Sequence, residues 1–239
     1  MVSKLWQPIR VGEMEFKHRL AMAPMTRDRS TPEGVPTELN ATYYAQRASM
    51  AMVGTEGTQP SDDGQGYLLT PGIYTEKQVA GWRKVTEAVH AAGGKILIQL
   101  MHVGRISHPS NTPHGRQPVA PSVVRPNTKM FTATGMQEIP EPRALSLDEI
   151  GATVLDYRRA AACAIAAGAD GVEIHGANGY LVHMAGRSRI GSVSPLRCHR
   201  RSQMRSGRVA PAYGFRLRIH STTLWRTTRR TFTKCWCAN

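Results

Sequence analysis

Three polar side chains follow a short apolar segment near residue 175. Residues 170–175 have the composition of a buried strand, and residues 176–181 contain the glycines typical of a turn. His175 and Asn178 could both hydrogen-bond one oxygen atom, and Tyr180 could deliver a proton to a neighbouring carbon. Together they could polarise a carbonyl group and protonate the product. The alternative is a capped strand end, in which His175 and Asn178 bind loop backbone groups.

The elements that precede this segment repeat one pattern. A capping box at residues 75–78 opens an amphipathic helix, and a second capping box at residues 146–149 opens another. Glycine ends each helix, and an apolar strand follows at residues 95–101 and at residues 170–175. Strands that alternate with helices predict a parallel sheet, with polar groups gathered at the carboxyl ends of its strands.

An earlier and less regular copy of the pattern opens the chain. It predicts a strand at residues 19–24, a helix at residues 37–49 and a strand at residues 52–56. Before it, residues 9–16 predict a small hairpin with Gly12 at the turn.

The excursion that follows the strand at residues 95–101 is unusually long. Residues 103–143 contain seven of the fifteen prolines, and loops of this length inside a compact domain are usually lids or binding loops. The chain offers at most four strand and helix units, whereas a complete (β/α)₈ barrel needs about 250 residues. The predicted fold class is therefore α/β, the first half of a (β/α)₈ TIM barrel, with an unassigned basic C-terminal tail.

The charge distribution divides the chain into two parts. The whole chain has 31 Lys and Arg against 17 Asp and Glu, a net charge of +14, but 13 of the basic residues and none of the acidic ones follow Met184. Residues 1–183 are nearly neutral and have the periodic apolar segments of one globular unit. Residues 184–239 show neither helical nor strand periodicity, and we assign them no fold.

Several classes of protein are not favoured by the sequence. The amino terminus has no apolar core or cleavage site of a targeting signal, and no apolar run approaches the ~18 to 20 residues of a membrane span. The four cysteines have no disulfide or metal-ligand spacing, and we expect no metal site. A reducing cytoplasm is the expected location. No pattern sets an oligomeric state.

Four segments at the predicted strand ends carry a resemblance to a known family. They are APMTR at residues 23–27, TEGT at residues 55–58, IQLMHVGR at residues 98–105 and HGANGYL at residues 175–181. In this order they resemble the successive strand-end motifs of the old yellow enzyme family, FMN-dependent ene-reductases on a (β/α)₈ barrel. The resemblance covers residues 1–183 and implies an FMN-binding half barrel there; it stops at Met184.

The resemblance implies a cofactor site. Pro24, Met25 and Thr26 would line the isoalloxazine ring of FMN, with the Thr26 hydroxyl near the flavin carbonyl and N5. Gly57 would let the backbone approach the ring edge, and Gln99 would bind the pyrimidine. Taken singly, Thr26 could be an ordinary turn hydroxyl and Gln99 a polar strand end. A buried amide between Ile98 and Leu100 nevertheless needs a partner, which the flavin would supply.

The resemblance also implies a substrate and a division of roles. NADH or NADPH would reduce FMN, and the hydride would pass to the C=C bond of a small-molecule alkene such as an α,β-unsaturated carbonyl compound. His175 and Asn178 would bind the carbonyl oxygen, and Tyr180 would protonate the α carbon as general acid.

Two interpretations of residues 184–239 compete. A change of reading frame near codon 184 would produce an Arg-rich, acid-free sequence without periodicity. A genuine basic extension would instead bind nucleic acid or an anionic surface by neutralising phosphates. The segment has no nucleic-acid-binding motif and no regular spacing of aromatic residues. We favour the frame change, expect the segment to be out of frame or disordered, and expect weak FMN retention and low activity because the second half of the barrel is lost.

Overall fold

The computed structural model of the protein describes residues 2–185 and 222–225. The α-helices within these residues are α1 (Glu38–Ala45), α2 (Glu76–Ala91), α3 (Leu147–Ala166) and α4 (Leu181–Ala185). Its strands are β1 (Ile9–Val11), β2 (Met14–Phe16), β3 (Ala21–Met22), β4 (Met52–Gly54), β5 (Ile96–Leu100), β6 (Val119–Ala120), β7 (Lys129–Thr132), β8 (Gly135–Glu138), β9 (Arg143–Ala144), β10 (Gly171–His175) and β11 (Thr222–Trp225).

The main sheet has the strand order β11-β10-β5-β4-β3. Strands β3, β4, β5 and β10 pair in parallel, and α1, α2 and α3 each connect one of these strands to the next. The register places Val53 opposite Ile96 and Glu173 opposite Gln99. The predicted alternation of strands and helices around a parallel sheet is confirmed, and the carboxyl ends of these four strands meet at one edge.

Local sequence signals explain where the two long helices begin. The Thr75 hydroxyl accepts the N–H of Gln78, and the Gln78 side chain accepts the N–H of Thr75. Ser146 and Glu149 make the same reciprocal pair at the start of α3. Both capping boxes satisfy N–H groups that the helix itself cannot pair, so the two predicted helix starts are confirmed.

One apolar core lies between the sheet and its helices. Its central side chains are fully buried and come from α2 and from the helix-facing sides of the strands: Trp82, Val85, Val89, Val53, Ile96 and Ile98. From α3 the core receives mainly small side chains, which let this helix lie close to the sheet: Ala160, Cys163 and Ala164. Because side chains alternate along a strand, Gln99, Glu173 and His175 point to the opposite face of the sheet.

One of the two irregular parts of the fold differs from the sequence prediction, and the other agrees with it. Residues 103–143 are not a structureless loop, because β7 and β8 form a hairpin and β6 pairs in parallel with β9. The hairpin predicted at residues 9–16 is confirmed, with Gly12 at a φ of +61° in its turn.

The basic tail contributes one described strand. Residues of β11 pair antiparallel with β10, from Val172 opposite Trp225 to His175 opposite Thr222. A backbone ladder needs no apolar periodicity in the added strand, so these four residues can pair although their segment shows no strand periodicity. The predictions for residues 186–221 and 226–239, including disorder, lie outside the described residues.

Candidate active site

The carboxyl end of β10 carries the three residues singled out first. His175 is the last residue of the strand, and a tight turn follows it. Asn178 and Gly179 have φ values of +57° and +78°, and the N–H of Tyr180 donates to the carbonyl of Ala177 at 3.2 Å. Asn and Gly are the residues that adopt positive φ most readily, so the sequence favours this turn. The chain reverses and brings Tyr180 back beside His175.

His175 is a buried histidine with unused bonding capacity. Its ring packs edge-on against the Tyr180 ring, with 5.0 Å between the ring centroids. Burial, and then the nearby His183, lower the pKa of His175, so the imidazole is neutral near pH 7. Its Nδ1 atom is buried and has no hydrogen-bond partner among the described residues. An orphaned buried polar atom at a strand end is a candidate contact for a ligand.

Tyr180 has a partner that the sequence did not reveal. Its hydroxyl lies 2.8 Å from the hydroxyl of Tyr67, a residue in the segment between β4 and α2. Burial, followed by the hydrogen bond with Tyr67, raises the pKa of Tyr180 well above its ordinary value. Tyr180 therefore holds its proton at neutral pH and releases it only to a strong base. Tyr67 lies 113 positions away and has no motif around it, so no sequence signal pointed to it.

Gln99 has a protein partner inside the sheet. Its Nε2 donates to Oε1 of Glu173 at 2.8 Å, across the β5 and β10 ladder. Burial raises the pKa of Glu173, and the hydrogen bond from Gln99 partly offsets this effect. The expectation that the Gln99 amide lacks a partner is corrected, because the residue opposite it in the register is an acceptor. Its contact with the flavin stays a prediction.

Gly57 lies where the β4 and β5 ends meet. A Cβ atom at Gly57 would lie 2.7 Å from the Sδ atom of Met101, which is too close for two unbonded atoms. The Thr55 hydroxyl accepts the N–H of Gln99 at 3.0 Å, and the N–H of Thr58 donates to the Gln99 carbonyl at 2.8 Å. The lack of a side chain at Gly57 therefore makes room for Met101, a reason different from the predicted approach to a flavin ring.

Pro24, Met25 and Thr26 follow β3 at the same edge of the sheet. The Pro24 ring packs against Gly54 of β4, where an added Cβ would come within 3.1 Å of it. Met25 is 47% exposed, and the Thr26 side chain is also exposed. An exposed methionine directly after a core strand leaves apolar surface available to a ligand.

The structure places four of the eight predicted residues at the ends of the neighbouring strands β4, β5 and β10. Gly57 and Gln99 share the β4 and β5 ends, Glu173 links Gln99 to β10, and β10 leads to His175 and Tyr180. Asn178 is exposed in the turn, as Thr26 is after β3, so contacts between protein side chains leave both free to face a ligand.

Comparison with known proteins identifies the family. The model of the NADH:flavin oxidoreductase / NADH oxidase family matches residues 4–187. The chain belongs to this family. It is 48% identical over 183 residues to the flavin oxidoreductase hxnT of Emericella nidulans, a match that covers 74% of the chain and 47% of hxnT.

Further relatives match the same part of the chain. A probable flavin mononucleotide-dependent alkene reductase of Leishmania infantum is 42% identical over 186 residues, covering 76% of the chain and 51% of that protein. The solved structure of the old yellow enzyme homologue from Zymomonas mobilis is 47% identical with a TM-score of 0.72, covering 74% of the chain and 50% of its own. The chain thus spans about half the length of the relatives it matches, and the predicted family and half-barrel fold are confirmed.

Membership of the NADH:flavin oxidoreductase family also bears on the predicted chemistry. FMN and NADH or NADPH are the cofactors of this family of oxidoreductases, as predicted. Within residues 2–185 and 222–225, no helix is long and apolar enough to cross a membrane. The same residues contain no group of three or more His, Cys, Asp or Glu side chains placed to hold a metal ion.

Proposed function

We propose that the chain is part of an FMN-dependent oxidoreductase that passes hydride from NADH or NADPH to the C=C bond of an activated alkene, such as an α,β-unsaturated carbonyl compound. The observation that carries the proposal is the buried, partnerless Nδ1 of His175, whose ring lies against Tyr180 at the carboxyl end of β10. The family match and the alkene reductase among its relatives support the reaction class.

His175 and Asn178 would bind the carbonyl oxygen of the substrate. A neutral imidazole can donate one N–H, and an exposed Asn amide can donate a second, so the pair would supply two hydrogen bonds to the carbonyl oxygen. Donors aimed at an oxygen that gains negative charge stabilise the enolate, an effect of about 3 to 4 kcal/mol for a well-placed donor. Binding at this oxygen would orient the double bond toward the cofactor.

Tyr180 would protonate the α carbon. Its raised pKa keeps the hydroxyl protonated at neutral pH, and an enolate carbon is basic enough to take that proton. The Tyr67 hydroxyl, 2.8 Å away, can hold the Tyr180 hydroxyl in place and can return a proton to it afterwards.

The residues present fit the ring of FMN. Exposed apolar surface at Met25, the exposed Thr26 hydroxyl and the partly exposed Pro24 lie at the same sheet edge as Gly57 and Gln99. When bound, FMN supplies the hydride to the alkene and receives one from NADH or NADPH. Thr26 would hydrogen-bond the ring near N5, and Gln99 would face its pyrimidine.

Three finer points belong to the same proposal. Residues 1–183 would form the FMN-binding unit, with residues 184–239 outside it, as the match over residues 4–187 supports. The chain alone would retain FMN weakly, because its parallel strands supply half of a (β/α)₈ barrel. A cytoplasmic location remains an expectation from cysteine usage. No described residue favours nucleic-acid binding by the basic tail.

The test uses two proteins. One is the chain itself, and the other joins residues 1–183 to the remaining half of the Emericella nidulans relative. Each is mixed with FMN and assayed for a yellow bound cofactor and for alkene reduction by NADH or NADPH. The joined protein should be yellow and active. A joined protein that folds with a cooperative melt but binds no FMN contradicts the proposal, and stoichiometric FMN on the chain alone contradicts weak retention.

A further inference from the structure

Glu56 is a buried acid to which the mechanism above gives no role. It follows β4 by two positions and has 0% exposed surface. Burial raises its pKa, as expected for a carboxyl group removed from water. A carboxylate in such a place is costly unless other groups satisfy its oxygens, so its partners indicate why it is there.

The partners of Glu56 are all hydrogen-bond donors. Oε2 accepts the backbone N–H groups of Arg27 at 2.8 Å and Asp28 at 3.3 Å. Oε1 accepts the Asn40 amide and the Tyr44 hydroxyl, each at 3.2 Å. Only an ionised carboxylate accepts on both oxygens without presenting a donor of its own. A Gln side chain of the same shape would place its NH₂ group against two of these donors.

One oxygen of Glu56 therefore faces a loop and the other faces the core. The loop continues directly from Pro24, Met25 and Thr26, and Asp28 within it has a φ of +54°, which is unusual for a residue other than Gly. Helices and strands fix their backbone by regular ladders, whereas at Arg27 and Asp28 a side chain accepts the backbone N–H groups.

The core side fixes Glu56 itself. Tyr44 is fully buried in α1, and its hydroxyl also accepts the backbone N–H of Glu56 at 2.8 Å. Asn40 accepts the backbone N–H of Thr37 at 2.9 Å, which ties Glu56 to the start of α1. Oε1 of Glu56 is thus fixed by residues of α1, while Oε2 accepts the N–H groups of the loop.

We infer that Glu56 is a positioning residue, which holds the loop of residues 24–28 in the shape that presents Pro24, Met25 and Thr26 to the flavin ring. The inference rests on the proposed function for the part that concerns FMN. The loop contact itself depends only on the protein.

The first experiment measures amide hydrogen exchange in the full chain without FMN. The Arg27 and Asp28 amides should be protected in the unaltered protein. Glu56→Asp keeps the charge but shortens the side chain, and we expect exchange at these two amides to be at least about tenfold faster. Glu56→Gln should increase the exchange rate of these two amides further. If the Gln variant fails to fold, Glu56→Asp alone provides the test.

The matched control is Tyr44→Phe. It disturbs the same buried cluster on the Oε1 side and leaves both loop contacts on Oε2. A lower melting temperature is expected, with a smaller increase in exchange at Arg27 and Asp28 than in Glu56→Asp, because Asn40 still donates to Oε1. Unprotected amides in the unaltered chain, or equal exchange in Glu56→Asp and the unaltered chain, would overturn the inference.

The second experiment titrates FMN into the same variants, made both in the full chain and in the joined protein, because the full chain alone should retain FMN weakly. The dissociation constant of FMN should rise about tenfold in Glu56→Asp, and less in Tyr44→Phe. Faster loop exchange with an unchanged FMN affinity would refute the positioning role. If the unaltered chain and the joined protein both fail to bind FMN while loop exchange responds to Glu56→Asp, the loop contact is supported and the proposed function is the part that fails.

Discussion

The ends of β4 and β10 each carry a buried ionisable side chain, but the two are satisfied differently. Around Glu56, after β4, backbone and side-chain donors fill both carboxylate oxygens. At His175, on β10, the buried Nδ1 has no partner among residues 2–185 and 222–225. The same position in the fold therefore serves two purposes. One strand end uses its polar group to shape the protein, and the other keeps bonding capacity for a ligand.

The largest expected effect comes from the end of β10, where His175 keeps an unpaired nitrogen for a ligand. Tyr180→Phe should slow alkene reduction by about 10²- to 10⁴-fold, because the general acid is removed. Reduction of FMN by NADH or NADPH should be unchanged, because it needs no proton from Tyr180. Stopped-flow measurement of the two half-reactions in the joined protein separates them.

The control for Tyr180→Phe is Tyr67→Phe. It removes the hydroxyl that lies 2.8 Å from Tyr180 but leaves the proton donor in place, so its effect on alkene reduction should be smaller. Equal slowing of both half-reactions in Tyr180→Phe would contradict the assigned role.

The second prediction concerns the binding of the carbonyl oxygen. His175→Ala combined with Asn178→Gly should weaken the binding of a carbonyl ligand by about 10²-fold or more, since both donors are removed. Glycine is chosen at 178 because the φ of +57° there would strain alanine. Titration of the ligand against the flavin absorbance measures the change, and unchanged affinity would exclude the two residues as the oxygen site.

The third prediction tests packing at the end of β4, next to Glu56. Gly57→Ala should lower the free energy of unfolding by about 1 to 3 kcal/mol, because the added Cβ lies 2.7 Å from the Met101 Sδ atom. The control is Gly151→Ala in α3, where nothing lies within 4 Å of the added Cβ. There the same change should stabilise by up to about 1 kcal/mol. Urea unfolding gives both changes in the free energy of unfolding. If the two changes had the same sign, contact with Met101 would not be what destabilises Gly57→Ala.

The fourth prediction compares His175 with a second buried histidine. His102 is 2% exposed, and its Nδ1 accepts the N–H of Gly104 at 3.0 Å. Burial lowers the pKa of His102 from 6.5 to about 4. Between these two pH values the unfolded chain binds a proton at His102 that the folded chain does not bind. The contribution of His102 to the free energy of unfolding is therefore complete above pH 6.5 and is lost as the pH falls toward 4.

Unfolding curves at several pH values measure this contribution. His102→Asn keeps an acceptor for Gly104 and should reduce the pH dependence in this window by up to about 1.4 kcal/mol per pH unit. Glu56 and Glu173, whose pKa values are raised by burial, act in the opposite direction, so the difference between variant and unaltered chain is the quantity to compare. His108→Asn, at a partly exposed position between β5 and β6, is the control. A matching change there would rule out His102 as the source.

Signals within a few residues of one another predicted the fold well. The capping boxes at Thr75 and Ser146 and the hairpin turn at Gly12 depend on local spacing, and each forms as predicted. Helix α1 is shorter than the predicted helix over residues 37–49. Its buried Asn40 binds Glu56, a contact that apolar periodicity does not contain.

For the candidate site, the sequence predicted the residues that lie inside the motifs but not the partners that contact them. His175, Asn178 and Tyr180 are close in sequence, and the structure keeps them at one strand end. The partners Tyr67, Glu173 and Glu56 act across distant parts of the chain, and only the sheet register and the loop paths determine those contacts. Glu56 lies inside the TEGT segment, where burial gives it a role that its residue type alone did not indicate.

The turn after β10 has one consequence for how the proton donor is built. Ala177, Asn178, Gly179 and Tyr180 close the reversal by a single backbone hydrogen bond, and the Tyr180 ring returns to the His175 ring within five residues of chain. The turn and the Tyr67 hydroxyl, which together place the Tyr180 ring, both lie within residues 1–183. A designer could therefore exchange the part of the barrel that would follow these residues, or supply it as a separate polypeptide, and keep the contacts that place Tyr180 beside His175.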